Sequence, residues 1–357
     1  MIHFHPLCVK EIRKETPDCV SILFDVPADL QEGFRFTQGQ NLTLKTIING
    51  EEQRRSYSIC SSPFDKELRV AVKRVEGGLF STWANDILKT GDLVDILPPT
   101  GKFNTSLDAL NKKNYVAFAA GSGITPVISI IKTTLLTEPQ SRFTLVYGNK
   151  NKNSIIFKEQ LEALKDKFMN RFRLIHILSR ERTEADINSG RINTEKLGQL
   201  SKLIDYAGTD DFFICGPEQM IFSVRDHLES SGIDKKKIHF ELFTTPGQNK
   251  AASFEPRTVS DSGPKSKITI KLDGRSFDFD LGFNSENILD AALKQGADLP
   301  FACKGGVCCT CKAKLTEGEV DMEVCWGLEH EEIEQGYILT CQSHPKTERV
   351  VVDFDIK

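Results

Sequence analysis

The sequence lacks any apolar run that approaches the roughly 20 residues a membrane-spanning helix needs. Its N-terminus, Met-Ile-His-Phe-His-Pro, has no basic segment followed by an apolar one, so we expect no secretory signal. The ten cysteines among 357 residues do not form the dense pattern of a small disulfide framework. We therefore expect a cytoplasmic protein with reduced thiols and no membrane partner.

An excess of positive charge is also missing. The chain has 46 Lys and Arg against 50 Asp and Glu, a net charge of −4, which does not suggest nucleic-acid binding. From Ser266 onward there are ten basic and seventeen acidic residues, a net −7, whereas the preceding residues carry 36 against 33, a net +3. An acidic C-terminal module can dock on a basic surface, and a solvated acidic face explains the same charge equally well.

Four cysteines near the C-terminus give the strongest signal. Cys303, Cys308, Cys311 and the distant Cys341 follow the C-x₄-C-x₂-C…C spacing of plant-type [2Fe–2S] ferredoxins, so these four thiolates are the predicted metal ligands. The alternatives are a zinc site or buried thiols, but zinc ribbons usually show two matched CxxC pairs. Cys309 lies between two of the ligands and is expected to point away from the cluster.

The chain length suggests two or three domains. Residues 1–105 contain short alternating or β-branched runs at 20–24, 41–45 and 68–73, broken by Pro and Gly, with a short helix expected at 79–88. This spacing predicts a small antiparallel β-barrel.

Residues 106–245 show a different rhythm, in which strands alternate with helices. Such alternation predicts an α/β doubly wound, parallel sheet. The predicted strands are 115–120, 143–147, 172–178, 211–215 and 239–243, and the predicted helices include 127–136, 154–167 and 217–230.

The segment 246–265 is rich in Pro, Ser, Gly, Lys and Thr, so it is interpreted as a linker. In 266–357, two strands at 268–272 and 277–281 flank Asp273-Gly274, which is a hairpin signal. A helix at 288–295, the cysteine loop and a strand at 350–354 follow. The expected fold is multidomain, with a barrel, a doubly wound domain and an α+β C-terminal domain.

Two motifs in the predicted barrel suit a flavin. Arg55-Ser56-Tyr57-Ser58 offers a cation for a pyrophosphate, an aromatic ring to cover a ring or ribose, and hydroxyl donors. The second motif ends a strand at Val72-Lys73 and continues through a glycine pair to a helix start, where backbone N–H groups can meet phosphate. Its candidate residues are Val72, Lys73, Gly78, Leu79 and Ser81. An ordinary turn and helix cap would explain the second motif alone.

Three motifs follow predicted strands of the second domain. Gly121-Ser-Gly123-Ile-Thr125-Pro126 opens a helix and suits phosphate binding at its N-terminus. Ser179-Arg180 places a cation where a ribose 2′-phosphate would lie, which favours NADPH, although a surface arginine is the plain alternative. Cys215-Gly216-Pro217-Glu-Gln-Met220 places a cysteine at the carboxyl edge of the sheet, where a buried structural cysteine is also plausible.

These motifs occur in the order R-x-Y-S, G-G-x-x-S, G-x-G-x-T-P, C-G-P-x-x-M and cysteine loop. In this order they resemble the ferredoxin–NADP reductase superfamily with a C-terminal plant-type ferredoxin domain. Within it, the chain is similar to the reductase subunits of phenylacetyl-CoA epoxidases. The stretches that carry this similarity are 4–7, 55–60, 318–324 and 336–345. Cys325 departs from that pattern, in which Asn is common.

The resemblance implies a β-grasp-like ferredoxin domain, and FAD held in the barrel by Arg55, Tyr57, Ser58, Gly78 and Ser81. It places Thr125 and Cys215 beside the nicotinamide, and Glu241 and Phe243 near the flavin. The residues assigned to catalysis are therefore Ser58, Cys215, Glu241 and Phe243. Electrons are expected to pass from NADPH through FAD and the [2Fe–2S] cluster to a di-iron oxygenase that epoxidises the ring of phenylacetyl-CoA.

Three alternatives stay open at this point. The chain can serve another oxygenase, such as a ring- or steroid-hydroxylating system. It can use FMN and NADH, as in reductases of the phthalate dioxygenase type. It can also be a redox sensor that binds the cluster but catalyses no reaction.

Overall fold

The computed structural model describes residues 3–243, 264–283 and 285–356, which group into two compact units. One unit contains residues 4–53 and 57–242, and the other contains the C-terminal segment. Within the described ranges, no helix is both long and apolar enough to cross a membrane. The predicted linker 246–265 lies outside the described residues except for Pro264 and Lys265, and Lys265 is the first residue of a strand.

The first sheet is antiparallel and has the strand order β4-β3-β6-β1-β2-β5. Its strands are β1 (His5–Thr16), β2 (Cys19–Asp25), β3 (Asn41–Ile48), β4 (Glu51–Ser58), β5 (Leu68–Lys73) and β6 (Leu93–Ile96). Beyond the end of β4, Ile59 bridges Val70 of β5, so the two edges of the sheet meet and the barrel closes. The short helix α1 (Leu79–Asp86) buries Phe80 in the barrel core.

The second sheet is parallel, with the order β11-β10-β7-β8-β9. Its strands are β7 (Asn114–Ala120), β8 (Arg142–Asn149), β9 (Phe172–Leu178), β10 (Asp211–Cys215) and β11 (Ile238–Glu241). The chain begins in the central strand β7, moves outward to β9 and then returns to β10 on the other side of β7. The direction of winding therefore reverses between β7 and β10, which is where open α/β sheets form ligand crevices.

Helices cover both faces of this sheet. They are α2 (Ile124–Thr137), α3 (Lys158–Lys167), α4 (Thr194–Leu200) and α5 (Glu218–Ser230). Helices α2 and α3 pack on the face of Tyr115 and Leu145, whereas Phe118 points to the other face and contacts Tyr206, which contacts His227 of α5. Side chains alternate between faces along each strand, so this one sheet has two separate cores.

The barrel and the parallel sheet belong to the same compact unit and are joined by side chains of α2. Ser129 donates to the carbonyl oxygen of Ser61 at 2.6 Å, and the hydroxyls of Ser62 and Thr133 lie 2.9 Å apart. Lys132 pairs with Asp65. Because these polar groups are largely buried and satisfied, they fix the orientation of the barrel on the sheet.

The C-terminal unit has a five-stranded mixed sheet with the order β13-β12-β18-β14-β16. Its elements are β12 (Lys265–Leu272), β13 (Arg275–Gly282), α6 (Ile288–Lys294), β14 (Lys312–Glu317), β15 (Val320–Met322), α7 (His330–Glu334), β16 (Tyr337–Leu339), β17 (Ser343–Pro345) and β18 (Arg349–Asp353). Asp273 and Gly274 have φ angles of 54° and 70°, as the predicted hairpin turn requires. Helix α6 packs through Ile288 and Leu289 on the sheet, giving the β-grasp-like arrangement.

The predicted fold class is confirmed for all three modules. The helix predicted at 154–167 is shorter than expected, because Lys152–Ser154 forms a 3₁₀ turn and Phe157 has a positive φ of 59°. The α-helix therefore begins at Lys158. The sequence pattern also missed the long strand β1 and helix α4, whose apolar residues are too sparse to show a clear period.

Gly123 lies at the contact between the ends of β7 and β10. A Cβ atom at this position would stand 2.0 Å from the carbonyl oxygen of Cys215 and 2.7 Å from the amide nitrogen of Gly216. Both neighbours are backbone atoms of a buried strand end, so they have little freedom to move. Glycine is required here because the two backbones touch.

We predict that Gly123→Ala lowers the free energy of unfolding by about 1–3 kcal/mol, as overpacking of a rigid site does. Urea denaturation followed by tryptophan fluorescence measures the change. Gly198→Ala in α4 is the matched control, since a Cβ there meets nothing within 4 Å, and it should be neutral or stabilising. Equal stability of the Gly123→Ala protein and the wild type would contradict the close contact.

Candidate active site and cluster loop

The site lies at the carboxyl ends of β7 and β10. After β7, Gly121 has a φ of 54°, and its carbonyl accepts a hydrogen bond of 2.9 Å from the hydroxyl of Tyr147. The hydroxyl of the buried Thr125 donates to the carbonyl of Ser122 at 3.0 Å. The glycine loop is therefore held from below by β8 and from within by α2, with its backbone turned toward the crevice.

Three helices around this region begin without a side-chain cap. Gly78, Gly123 and Pro217 are the N-cap residues of α1, α2 and α5, and none supplies a capping hydrogen bond. Helices α4 and α6, by contrast, are capped by Asn193 and Asn287. Uncapped N–H groups at a helix start attract phosphate, and all three of these helices begin in the motifs that the sequence assigned to cofactors.

Ser58 and Glu241 come together although 183 positions separate them. The Ser58 hydroxyl donates to Oε2 of Glu241 at 3.1 Å. Ser58 is buried at the end of β4, whereas Glu241 ends β11 and is half-buried. The barrel and the parallel sheet therefore contribute one hydroxyl and one carboxylate to a common point.

Cys215 lies beside this pair, directly across from Glu241 in the β10–β11 register. It is fully buried, and burial together with the charge of Glu241 raises the pKa of its thiol well above the usual value. The thiol therefore stays neutral at physiological pH, which argues against a nucleophilic role. Phe243, two residues beyond Glu241, is 41% exposed and presents an aromatic ring at the end of this segment.

The barrel loop after β5 is closed by its own residues. The Ser81 hydroxyl accepts a 3.0 Å hydrogen bond from the amide of Val75 and donates to the carbonyl of Gly78 at 3.2 Å. Leu79 is 47% exposed. Ser81 therefore shapes the turn that presents the N–H groups of α1. The sequence alone could not distinguish this structural role from a direct contact with phosphate.

Tyr57 packs on Phe80 with ring centroids 5.5 Å apart, and Phe80 packs on Trp83. Arg55 is exposed and donates to the carbonyl of Arg54 at 2.7 Å, and the neighbouring Ser56 is half-buried. Val72 is fully buried in the barrel, so its side chain is not available to a cofactor.

Lys73 connects the barrel loop to the glycine loop. Its Nζ lies 3.8 Å from the Cβ position of Gly121 and 3.6 Å from a carboxylate oxygen of Asp18. A cation thus stands where the two predicted phosphate-binding loops meet.

The remaining predicted residues fill the space around these loops. Pro126 is buried in the first turn of α2, and Met220 is buried in α5, with its Cε 2.7 Å from the Cβ position of Gly216. Pro217 starts α5. These three side chains shape the crevice rather than offer polar groups to it.

Ser179 and Arg180 follow β9 and are both exposed. Their backbone amides donate to the carbonyls of Asn149 and Lys150, which fixes the turn. The neighbouring carboxylate, Glu181, is bound by Lys152 through an ion pair of 3.4 Å. The turn therefore presents Arg180 as a cation, with its nearest acidic neighbour along the chain already engaged.

The sequence analysis missed Asn149, the last residue of β8. Its side chain is 7% exposed, and both amide atoms lack a partner with hydrogen-bond geometry within the described residues. A buried polar group without a partner is rare and suggests a ligand contact. Its position at the end of an apolar strand, between the two predicted loops, is the signal that would have identified it.

The four predicted cluster ligands form two pairs in the C-terminal unit. Cys303 contacts Cys308, and Cys311 contacts Cys341. Among the described side chains, no three His, Cys, Asp or Glu residues converge on one point, as a single metal ion would require. Two thiols for each of two irons is the ligand set of a [2Fe–2S] cluster, and the two pairs match that set.

Backbone donors also face the sulphurs. The amide of Gly305 donates to Sγ of Cys303 at 3.3 Å, and the amide of Cys303 lies 3.5 Å from Sγ of Cys308. Gly306 has a φ of 73°, and a Cβ there would press against Val324. The glycines therefore let the loop turn tightly and aim N–H groups at the ligands, which tunes a cluster's potential.

Hydrogen bonding within each pair shifts the pKa values of the two thiols in opposite directions. The contact with Cys303 lowers the pKa of Cys308 to about 5, and the contact with Cys311 lowers the pKa of Cys341. The same bonds, together with burial, raise the pKa of Cys303 and of Cys311. Cys308 in the first pair and Cys341 in the second are therefore the thiols that ionise more readily, and thiolate is the form that binds iron.

Cys309 is arranged differently from its neighbours. It has a positive φ of 57°, and its thiol contacts the carbonyl oxygen of Gly327. The amide of Gly327 in turn donates to the carbonyl of Gly306 at 2.9 Å. Cys309 thus packs against the segment that covers the loop, as expected for a residue outside the ligand set.

Family models cover each of the three modules. The oxidoreductase FAD-binding domain matches residues 6–105, the oxidoreductase NAD-binding domain matches 118–226, and the 2Fe-2S iron-sulfur cluster binding domain matches 270–346. These matches show FAD, a pyridine nucleotide and a [2Fe–2S] cluster as the cofactors.

Relatives of known function match over almost the whole chain. The chain is 47% identical over 358 residues to a subunit of the 1,2-phenylacetyl-CoA epoxidase of Escherichia coli K12, covering 100% of this chain and 99% of that one. It is 34% identical to the ferredoxin reductase component of 3-ketosteroid-9-alpha-monooxygenase from Rhodococcus rhodochrous, covering 98% and 96%.

Among solved structures, phthalate dioxygenase reductase has a TM-score of 0.59 and 23% identity and covers 98% of both chains. This likeness shows that the fold and the three modules are shared. Together with the full-length identity to oxygenase reductase components, it shows that the chain belongs to the family of flavin- and [2Fe–2S]-dependent oxygenase reductases that includes this subunit of the E. coli 1,2-phenylacetyl-CoA epoxidase.

Proposed function

We propose that this protein is an NADPH-dependent reductase that delivers electrons to the oxygenase component of a phenylacetyl-CoA epoxidase. When bound, FAD and the [2Fe–2S] cluster would supply the redox chemistry, so that the two electrons taken up as one hydride leave singly. The observation that carries the proposal is the two-by-two pairing of four thiols in a chain that also has flavin and nucleotide modules. We further propose the boundaries 1–105, 106–245 and 266–357 for the three domains.

The chain's own contribution is placement. We propose that the hydroxyl of Ser58, which Glu241 orients at 3.1 Å, contacts the flavin, and that the neutral thiol of Cys215 lines the nicotinamide position with Thr125. Phe243 is proposed to shield this position at the end of the module. Hydride transfer between rings needs close contact and exclusion of water rather than a general base, and these buried groups meet that need.

The phosphate groups are assigned to the uncapped helices. We propose that Arg55, Ser56, Tyr57 and the start of α1 hold FAD, and that Gly121, Gly123 and the start of α2 hold the coenzyme's pyrophosphate. This assignment is supported by the close approach that the glycines allow and by the uncapped N–H groups at both helix starts.

We propose NADPH rather than NADH as the coenzyme because the turn after β9 presents a positive charge. Arg180 is exposed there, and the neighbouring carboxylate of Glu181 is engaged by Lys152. An enzyme that selects NADH usually presents a carboxylate to the ribose hydroxyls at this point, whereas a cation suits a 2′-phosphate.

The identity of the electron acceptor is proposed from the similarity of this chain to proteins of known function. The relative at 47% identity is named a phenylacetyl-CoA epoxidase subunit, and the one at 34% is named a component of a steroid monooxygenase. The cytoplasm is the proposed location, because the six cysteines outside the proposed ligand set form no disulfide in this structure and a reducing compartment preserves such thiols.

Cys308→Ser should remove the cluster while the flavin is still reduced by NADPH, because the two sites are in different modules. Iron content, visible absorption and electron paramagnetic resonance of the reduced protein measure this. Cys309→Ser is the matched control and should keep the cluster, since Cys309 contacts Gly327 instead. A full iron content in Cys308→Ser would remove this residue from the ligand set.

Arg180→Gln should raise the KM for NADPH by about tenfold or more, the loss expected for one charge-assisted phosphate contact. The KM for NADH should not change. Steady-state rates with ferricyanide as acceptor give both values, and Lys236→Gln, also exposed, controls for the loss of one charge. Equal changes for both coenzymes would reject the 2′-phosphate role.

The acceptor can be tested with purified components. Coupled NADPH oxidation that depends on phenylacetyl-CoA is expected with a phenylacetyl-CoA epoxidase oxygenase component, and none with the oxygenase component of a 3-ketosteroid-9-alpha-monooxygenase. The Cys308→Ser protein should fail with both. Coupling to the steroid enzyme alone would reject the epoxidase as the acceptor and favour a steroid-hydroxylating system. Failure to reduce even ferricyanide would reject the reductase function.

A further inference from the structure

A second polar cavity lies at the opposite edge of the parallel sheet from the coenzyme crevice. It has a volume of about 740 Å³ and runs along the amino ends of β7, β8 and β9. Its lining includes Arg142 and Thr144 of β8, Arg173 of β9, Lys165 of α3, and Leu203 and Asp205 from the loop after α4. We call this cavity the amino-edge groove.

Strand register places two arginines on one face of the sheet. Thr144 pairs with Arg173 across β8 and β9, so these side chains point the same way. Arg142 precedes Thr144 by two residues and shares that face. The floor of the groove is therefore Thr144, with Arg142 on the same strand and Arg173 on the neighbouring strand β9.

In the part of the chain that the structure describes, these cations have no carboxylate partner. Arg142 and Lys165 form no ion pair there, and the Arg173 guanidinium donates to the backbone carbonyl of Leu203 at 2.6 Å. The acidic side chain in the lining, Asp205, accepts a hydrogen bond of 3.0 Å from the amide of Gly208 in its own turn. The groove thus carries uncompensated positive charge.

Exposed cations elsewhere in this unit, such as Lys66, Lys89 and Lys150, also form no ion pair among the described residues, whereas several buried or half-buried cations do. Lys113 pairs with Asp211, Lys132 with Asp65, and Arg69 with both Glu11 and Glu67. Like charges on the same face of adjacent strands repel each other, which costs stability unless an anion joins them. Arg142, Arg173 and Lys165 are exposed as well, so what distinguishes them is that they line one concave groove, where an anionic ligand would join them.

The size of the groove limits the ligand. A volume of about 740 Å³ lies within the range of about 300–1,000 Å³ that is typical of small-molecule sites. The exposed side chains of Met169 and Leu203 add apolar surface beside the arginines. A compact polyphosphate attached to an organic body satisfies both features.

We propose that the amino-edge groove is a second anion site, which binds a phosphorylated small molecule of the nucleotide class. Arg142 and Arg173 contact its phosphates, and Lys165 contributes from the rim. The eight residues of β8 separate this groove from the coenzyme edge by roughly 23 Å, so the two ligands bind independently.

ATP is the probe. Isothermal titration of ATP into the flavin-loaded, full-length protein at physiological ionic strength should show one saturable site. Arg142→Gln combined with Arg173→Gln should weaken this binding at least about tenfold, because two charge-assisted contacts are lost. Lys165→Glu changes an exposed residue of α3 and should weaken binding by about the same factor, without depending on the fold of β9.

Two controls distinguish binding in the groove from a general effect of charge and from binding in the coenzyme crevice. Arg275→Gln combined with Lys236→Gln removes the same charge outside the groove and should leave ATP binding unchanged. Saturation of the coenzyme crevice with NADP⁺ should also leave it unchanged. The proposal is overturned by the absence of saturable binding, by loss of ATP binding in the presence of NADP⁺ with retention in the groove variants, or by equal weakening in the charge control.

Discussion

The reductase unit depends on one backbone-to-backbone contact. At the point where the parallel sheet reverses its winding, Gly123 approaches the carbonyl of Cys215 so closely that no side chain fits between them. This contact brings the start of α2 and the start of α5 to the same crevice. Tyr147 holds the same loop from below, so the crevice is a rigid feature of the sheet edge and not a flexible surface loop.

Helix caps are distributed unevenly along the chain. Asn193 and Asn287 cap α4 and α6 and satisfy their first N–H groups, whereas α3, outside the proposed phosphate sites, begins after Phe157 without a side-chain cap. At the starts of α1, α2 and α5 the chain uses glycine or proline instead and leaves these groups without a side-chain cap. An uncapped start costs stability in the absence of ligand, by about 0.5–2 kcal/mol for each cap, which a bound phosphate offsets.

Glycine has a different structural role in the cluster loop and in the reductase crevice. Gly306 permits a tight turn that aims amides at the thiolates, whereas Gly123 permits two strand ends to touch. The anion site proposed in the amino-edge groove would use the opposite edge of the same sheet. Parallel strands expose different loops at each edge, so one edge can hold the coenzyme while the other presents Arg142 and Arg173 to a separate anion.

Local patterns in the sequence determined the three modules and most strand and helix positions, and they predicted the ligand set of the cluster, because each depends on spacing within a short segment. Only the tertiary structure decided that Ser58 meets Glu241, that the thiols pair as Cys303 with Cys308 and Cys311 with Cys341, and that the amide of Asn149 is buried without a hydrogen-bond partner among the described residues. It also decided that Arg142 and Arg173 share a face. Such contacts depend on strand order and register between distant segments, and no local periodicity encodes which strands become neighbours.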